Sequence, residues 1–276
     1  MSGSPTLKLH NLTSATNRML NSLINLPTNP NFEKTKKDLL ELRRRSHIMS
    51  LLYDKCIVAV AGLQGVGKST LMSNLYEFDD EHSPFLGNQG QGETLPILIT
   101  ESEEPGQLFV HKVVNTDGTS SFVREEVQDI KLFREKAHKY NYYEDLLLEV
   151  TVPFKVFCCS DRSFLLLPGF QKDASYLKEL TYTALRTSMN CLILFYSNKF
   201  ATKANKELIE TLITEFKEAL PIFTLTWSDN EDENIELAET VKRDLNISEC
   251  DRVIRTGSPG PQVWRDQLTK AVRNYS

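Results

Sequence analysis

The run Gly62-Leu63-Gln64-Gly65-Val66-Gly67-Lys68-Ser69 meets the pattern G-x-x-x-x-G-K-[ST] in full. Residues of these types at this spacing suit the grasping of a phosphate chain. Glycines let the backbone wrap closely round phosphate oxygens, and successive main-chain N–H groups then converge on one point. A helix starting where the run ends adds partial positive charge at that point. Lys68 is placed to reach the β- and γ-phosphates, with Thr70 just beyond. The Ser69 hydroxyl is placed to ligate Mg2+, an ion that seeks oxygen and keeps several waters. A plain Gly-rich turn with a surface lysine would explain the glycines but not the complete spacing and flanks. The run does not choose between ATP, GTP, a kinase and a switch protein.

Three further stretches bear on that choice. Gly90-Gln91-Gly92-Glu93-Thr94-Leu95-Pro96-Ile97 carries a threonine that is able to close over Mg2+ and a γ-phosphate, unless the stretch is only a glycine loop feeding a strand. Phe164-Leu165-Leu166-Leu167-Pro168-Gly169-Phe170 is an apolar strand ending in Pro-Gly, either a γ-phosphate sensor or an ordinary strand and turn. Ile222-Phe223-Thr224-Leu225-Thr226-Trp227-Ser228-Asp229 brings a carboxylate to a strand's C-terminal end, where open α/β sheets bind ligands. An aspartate there accepts from the ring N–H and exocyclic amine of guanine, whereas adenine offers the wrong edge. Asp229 is otherwise the first member of the solvated acidic run Asp229-Asn230-Glu231-Asp232-Glu233.

The elements that must position these residues follow from periodicity. Cys56 to Ala61 is a continuous apolar run, the mark of a strand buried on both faces, and Ser69 to Tyr76 reads as a helix. Residues 79 to 93 are loop-like. Strands are expected at Ile97–Thr100, Leu108–Val114, Leu146–Val152, Ser163–Leu167, Cys191–Tyr196, Ile222–Thr226 and Arg252–Arg255. Helices are expected at Arg124–Tyr140, Asp173–Thr187, Thr202–Ala219, Ile235–Leu245 and Gln262–Val272. This alternation predicts an α/β fold: a mainly parallel sheet with helices on both faces. Ahead of it, residues 7 to 25 and Phe32 to Tyr53 carry apolar positions at helical spacing, separated by a turn at Pro27–Asn31. The chain thus divides into a helical hairpin over 1–53 and a phosphate-loop domain over 54–276.

Composition narrows the classes. The chain of 276 residues has 40% hydrophobic and 25% charged residues, within the range of globular domains. A net charge of −5 argues against nucleic acid as a partner held by bulk electrostatics. Arg43-Arg44-Arg45 is the one obvious basic cluster and reads as a solvated helix face. The five cysteines are odd in number and lack zinc-site spacing, which fits a reducing compartment. No signal peptide or bilayer-length apolar run is seen, so a cytoplasmic location is expected. The five histidines are scattered and form no metal spacing or triad.

The order of these motifs resembles the GTPase domain of the dynamin superfamily, especially bacterial dynamin-like proteins, over residues 56 to about 272. The leading hairpin resembles the start of the helical neck of such proteins. The resemblance implies a P-loop GTPase fold, GTP and GDP as ligands, Mg2+ as cofactor and a homodimer formed through the nucleotide face. It implies that Gln64 positions the attacking water and that Thr94 is the switch threonine, ligating Mg2+ beside Ser69. Leu166-Leu167-Pro168-Gly169 matches Asp-x-Pro-Gly, and Thr226-Trp227-Ser228-Asp229 matches Thr-Lys-x-Asp. Arg255-Thr256-Gly257-Ser258 lies where the last base-contacting loop falls, or is an ordinary turn. Gly65 stands where dynamins often carry a serine of a monovalent-cation site.

Two departures from the family pattern matter, and the first, with the missing serine at Gly65, counts against fast turnover. Leu166 replaces the aspartate that holds a Mg2+-bound water, a kind of loss that costs about 10–100-fold in metal affinity or activity. Trp227 replaces a lysine whose stem packs on the base; the indole either stacks there or belongs to the core. The expected activity is therefore slow GTP hydrolysis, with a non-hydrolysing, nucleotide-dependent interaction module as the alternative. A kinase sharing only the phosphate loop lacks an identifiable acceptor site. Dynamin-like proteins need a long helical stalk, and this chain stops after one closing helix, as a truncated piece or a natural short form. A membrane link would then be peripheral, through a stalk or partner absent from this chain.

Overall fold

The structure is a computed structural model. It describes residues 5–24, 30–85, 93–116, 119–139, 144–169, 182–183, 185–196, 205, 207–209, 221–226, 239, 242–243, 252–256 and 261–275. Nine strands form one sheet: β1 (Cys56–Gly62), β2 (Ile97–Glu101), β3 (Leu108–Thr116), β4 (Thr119–Glu126), β5 (Asp145–Val152), β6 (Arg162–Leu166), β7 (Asn190–Tyr196), β8 (Ile222–Thr226) and β9 (Val253–Arg255). Their order is β4-β3-β5-β2-β6-β1-β7-β8-β9. The strands from β6 to β9 run parallel, whereas β2 meets β6 antiparallel and β3 pairs antiparallel with both β4 and β5. The sheet is therefore mixed, with its antiparallel part at one end. This is the α/β sheet expected from the alternation of strands and helices, with more antiparallel pairing than that alternation implies.

The strand β1 alternates between two cores. Val58 and Val60 join a cluster with Leu71 and Met72 of α3 (Lys68–Leu75), Phe133 of α4 (Ile130–His138) and Leu268 of α5 (Pro261–Tyr275). Ile57, Ala59 and Ala61 face the other way, toward Ile48 and Leu52 of α2 (Pro30–Leu52). Burial on both faces is why this strand carries no polar alternation. The helices expected over 173–187, 202–219 and 235–245 fall mostly outside the described residues, though 182–183, 185–186, 207–209 and 242–243 are helical. No described helix is long and apolar enough to cross a membrane.

The structure corrects one expected helix. Thr119–Glu126 is a strand paired with β3, and the helix α4 starts only at Ile130, where Asp129 caps it by accepting from the Lys131 amide at 2.8 Å. The charges at 124–126 suggest a helix, yet each of these residues pairs across to β3, Arg124 with His111, Glu125 with Val110 and Glu126 with Phe109. Arg124 lies over the Phe109 ring at 3.4 Å, and Phe122 stacks on His47 at 3.4 Å between centroids. These side chains tie β4 to its neighbours.

The arginine run is likewise not a solvated face. The helix α1 (Pro5–Ile24) packs along α2, and α2 turns Arg43 and Arg44 inward, each only 3% exposed. Arg44 donates to the Asp145 carbonyl at 3.0 Å, while Arg45 pairs with Glu41 one helical turn away. Burial, and then the adjacent Arg44 charge, lower the Arg43 pKa below its ordinary value. Nearby, His111 and Arg124 donate to Glu149 at 2.7 and 2.9 Å. Burial alone would raise this carboxyl; those two donors outweigh it and hold the group at about 2.

His47 couples this region to pH. Burial first, then the charges of His111 and Arg43, push its imidazole down to about 3. The native state therefore keeps His47 neutral while the unfolded chain protonates it below about 6.5. The folded pKa is the lower one, so stability is undiminished above about 6.5 and is lost as pH falls from there toward 3. Each pH unit in the window costs about 1.4 kcal/mol, so urea melts at pH 7.5 and 5.0 are expected to differ by up to about 2 kcal/mol from this group. His47→Gln should shrink that difference. Glu149 adds a further loss only below about pH 4.5.

Candidate functional site

The phosphate loop sits between β1 and α3, at the C-terminal edge of the central strands. Gly65 and Gly67 take positive φ, 78° and 88°, which a side-chain-bearing residue rarely adopts. Gly67 is also the N-cap of α3 and has no side chain with which to cap the first amides of the helix. Those N–H groups are left to converge on whatever occupies the loop.

Lys68 closes the loop from inside. Its Nζ donates to the carbonyls of Leu63 at 3.2 Å and Gly62 at 3.4 Å, and the residue is 4% exposed. Burial lowers its pKa, opposed by the charge of Glu93. An ammonium held this dry by neutral carbonyls is poised for an anion. Val66 is buried, Gln64 and Ser69 are half-buried, and Thr70 is exposed on α3.

Two neighbouring strand ends hold the loop in shape. The Thr226 hydroxyl, at the end of β8, lies 2.7 Å from the Val66 carbonyl and 3.0 Å from that of Phe195. This side chain is spent on the loop's backbone, so Thr226 positions the loop. Gly169, beyond β6, abuts Gln64: a Cβ there would fall 2.8 Å from its Cα and 2.9 Å from its amide nitrogen. Only a residue without a side chain fits between them, which explains the glycine of Pro168-Gly169 and brings Gln64 to the exit of β6. Thr256 follows β9 and donates its amide to the Leu225 carbonyl at 2.8 Å, next to Thr226. Asp229, Trp227 and Gly257 lie outside the described residues.

The second loop departs from expectation. The Ser69 hydroxyl donates to the Glu93 carboxylate, which is 8% exposed. The Thr94 hydroxyl instead donates to the Ala137 carbonyl at 3.0 Å, beside its own amide, which does the same at 2.7 Å. In this conformation Thr94 is bound to the last turn of α4, and any metal-ligating role requires that bond to be exchanged. The sequence alone does not single out Glu93, because the threonine beside it carries the stronger signal. Its signal is a carboxylate between a Gly-rich stretch and a strand, too common to select alone. A hydroxyl and a carboxylate in contact are hard oxygen donors, a set that fits Mg2+.

Leu166 is fully buried with Val66, Leu71 and Met72 in one core cluster. Its Cα pairs across to Val60 of β1 and Ile97 of β2. The strand that leads to Gly169 therefore brings an apolar side chain, not an acid, to its end.

These features define a P-loop GTPase fold. Within that class the fold is similar to that of two solved bacterial dynamin chains. One solved chain of an oligomerised bacterial dynamin pair, which provides a mechanism for long-range sensing and tethering of membranes, has a TM-score of 0.51 at 13% identity. The similarity covers 99% of this chain and 52% of that one. A second such structure gives a TM-score of 0.52 at 14% identity, over 96% of this chain and 45% of the other. This chain thus spans about half the length of those dynamins. No protein-family model and no curated protein matches the sequence.

Proposed function

We propose that this chain binds GTP and GDP at the phosphate loop and hydrolyses GTP slowly, dimerising through its nucleotide face when the triphosphate is bound. The observation that carries this reading is Lys68, whose desolvated ammonium rests on two loop carbonyls at an uncapped helix start. A triphosphate entering the loop replaces neutral acceptors with charged ones, which form stronger hydrogen bonds. The residues assigned to it are Gly62, Leu63, Gln64, Gly65, Val66, Gly67, Lys68, Ser69 and Thr70, with Gly169 near the γ-phosphate. Thr226, Asp229, Thr256 and Gly257 are assigned to the base side, where Asp229 selects guanine.

Ser69 would hold Mg2+, joined by Thr94 once its bond to Ala137 is released. When bound, the ion neutralises charge on the phosphates. Lys68 and the loop amides stabilise charge developing at the transferred group, and Gln64 orients water. Residues 1–53 are proposed as a neck-like segment and 54–276 as the GTPase domain. A cytoplasmic location, and a peripheral membrane link through a stalk or partner outside this chain, belong to the same reading.

The buried Leu166 favours a second reading, a module that binds nucleotide and changes partners without hydrolysis. Steady-state phosphate release separates the two, measured with GTP and with ATP over a range of protein concentrations. Release that prefers GTP and rises more than linearly with protein supports the dimerising GTPase. Tight GTP binding with no release above the Lys68→Ala background supports the module. Calorimetry without any nucleotide binding rejects both.

A further inference from the structure

The carboxylate of Glu93 sits in an unusual place for an anion-binding loop. It is buried and accepts from the Ser69 hydroxyl, and its charge acts on Lys68. A negative group in contact with Ser69 lies where phosphate oxygens and their cation meet. With no cation between them, carboxylate and phosphates repel; with one, both attract it. Among the described residues, neither neighbouring strand end supplies an acid. On the two sides of β1, β6 ends in the fully buried Leu166 and β7 ends in Tyr196, and beyond β7 the strand β8 ends in Thr226, whose hydroxyl is bound to the loop backbone.

We propose that Glu93 is the carboxylate through which this site holds Mg2+, directly or through a water, and that it makes nucleotide binding dependent on the metal. The proposal rests on the nucleotide-binding reading above. Glu93 then supplies from the segment before β2 the negative charge that β6 lacks. Before nucleotide arrives, the same carboxylate rests on Ser69 and screens the Lys68 ammonium from its own burial.

The test compares GDP affinity in excess Mg2+ and in excess chelator, for the wild-type chain and for Glu93→Gln. The ratio of the two dissociation constants measures metal dependence. In wild type the ratio is expected to be at least about 10-fold larger than in Glu93→Gln, by the usual effect of losing a group that orients a metal site. The variant should bind GDP more tightly than wild type in chelator and more weakly in Mg2+. Broadening of Mn2+ resonance lines in the GDP complex gives a second reading and should weaken in the variant. Where Glu93→Gln does not fold, Glu93→Ala reads the same ratio. Equal ratios in folded wild type and variant, with wild type binding GDP, overturn this proposal alone. Absence of GDP binding by wild type in Mg2+ overturns the parent reading together with it.

Discussion

Lys68→Ala is expected to weaken GTP binding by about 10²–10⁴-fold while leaving the fold standing. The ammonium is 4% exposed and meets neutral carbonyls, Leu63 at 3.2 Å and Gly62 at 3.4 Å. A phosphate chain would give it ionised acceptors in the same dry place. Removing one partner of a buried charge pair costs about 3–5 kcal/mol, and each 1.4 kcal/mol is tenfold in affinity. Hydrolysis should fall at least as far, since the same charge serves the transition state. The apo protein responds in the opposite sense. Burial lowers the Lys68 pKa, so the folded state carries a desolvated cation that it would hold more easily as alanine. Groups kept for function often cost stability. The melting temperature of the apo variant is therefore expected to equal or exceed that of wild type. Loop geometry should persist, because Thr226 holds Val66 and Gly169 packs on Gln64 independently of Lys68. Titration with a fluorescent GTP analogue checks the first part, and thermal melting the second. Affinity within threefold of wild type would mean that the loop does not grasp phosphate through this amine.

The residues easiest to read from the sequence are those whose role is settled by chain neighbours. The strand β1, the phosphate loop and α3 are contiguous, so spacing alone placed Gly62 to Ser69 between a buried strand and a helix. Long-range effects were harder to read. Arg124, Glu125 and Glu126 look helical until the partners across the sheet are known; the cation lies on Phe109, while its guanidinium reaches Glu149. Arg43 and Arg44 look solvated, since a charge run normally is, yet α2 packs against β5, inside the sheet, and carries them inward. The site repeats the pattern. Thr226 was legible as a residue at a strand end, but its hydroxyl serves a carbonyl 160 positions away in sequence. Glu93 and Thr94 are adjacent, and only the position of α4 decides that the threonine faces Ala137 and the acid faces Ser69.

Glu101→Ala is expected to be strongly destabilising, although it lies away from the phosphate loop. Glu101 ends β2 and is 0% exposed, which for a carboxylate demands partners. It has four of them. The amides of Val156, Phe157 and Cys158 donate at 2.5, 3.0 and 2.7 Å, and the Tyr76 hydroxyl donates at 3.1 Å. Three successive N–H groups pointing at one anion make a nest. Cys158 adopts a φ of 57° within it, a strained value for a non-glycine residue, and the carboxylate offsets that strain. From the opposite side, Arg273 of α5 donates to the Val156 carbonyl at 2.5 Å. Glu101 and Arg273 thus hold the donors and acceptors of one irregular segment between β5 and β6. Alanine would leave three amides and a buried hydroxyl without an acceptor, each costing about 1–3 kcal/mol. Even at the low end the sum is about 4 kcal/mol, close to the whole stability of many domains. Glu101→Gln should also be severe, because its amide group presents donors to donors. Tyr76→Phe removes one donor from a carboxylate that keeps three, so about 1 kcal/mol is expected. Denaturant melts of the three variants should follow that order, with limited proteolysis of Glu101→Ala cutting first within 153–161. The effect also bears on the nucleotide site, since Tyr76 immediately follows α3, the helix whose other end is the phosphate loop. If Glu101→Ala lost less than about 1 kcal/mol, water would have to be satisfying those amides, and the nest would not be what braces the far end of that helix.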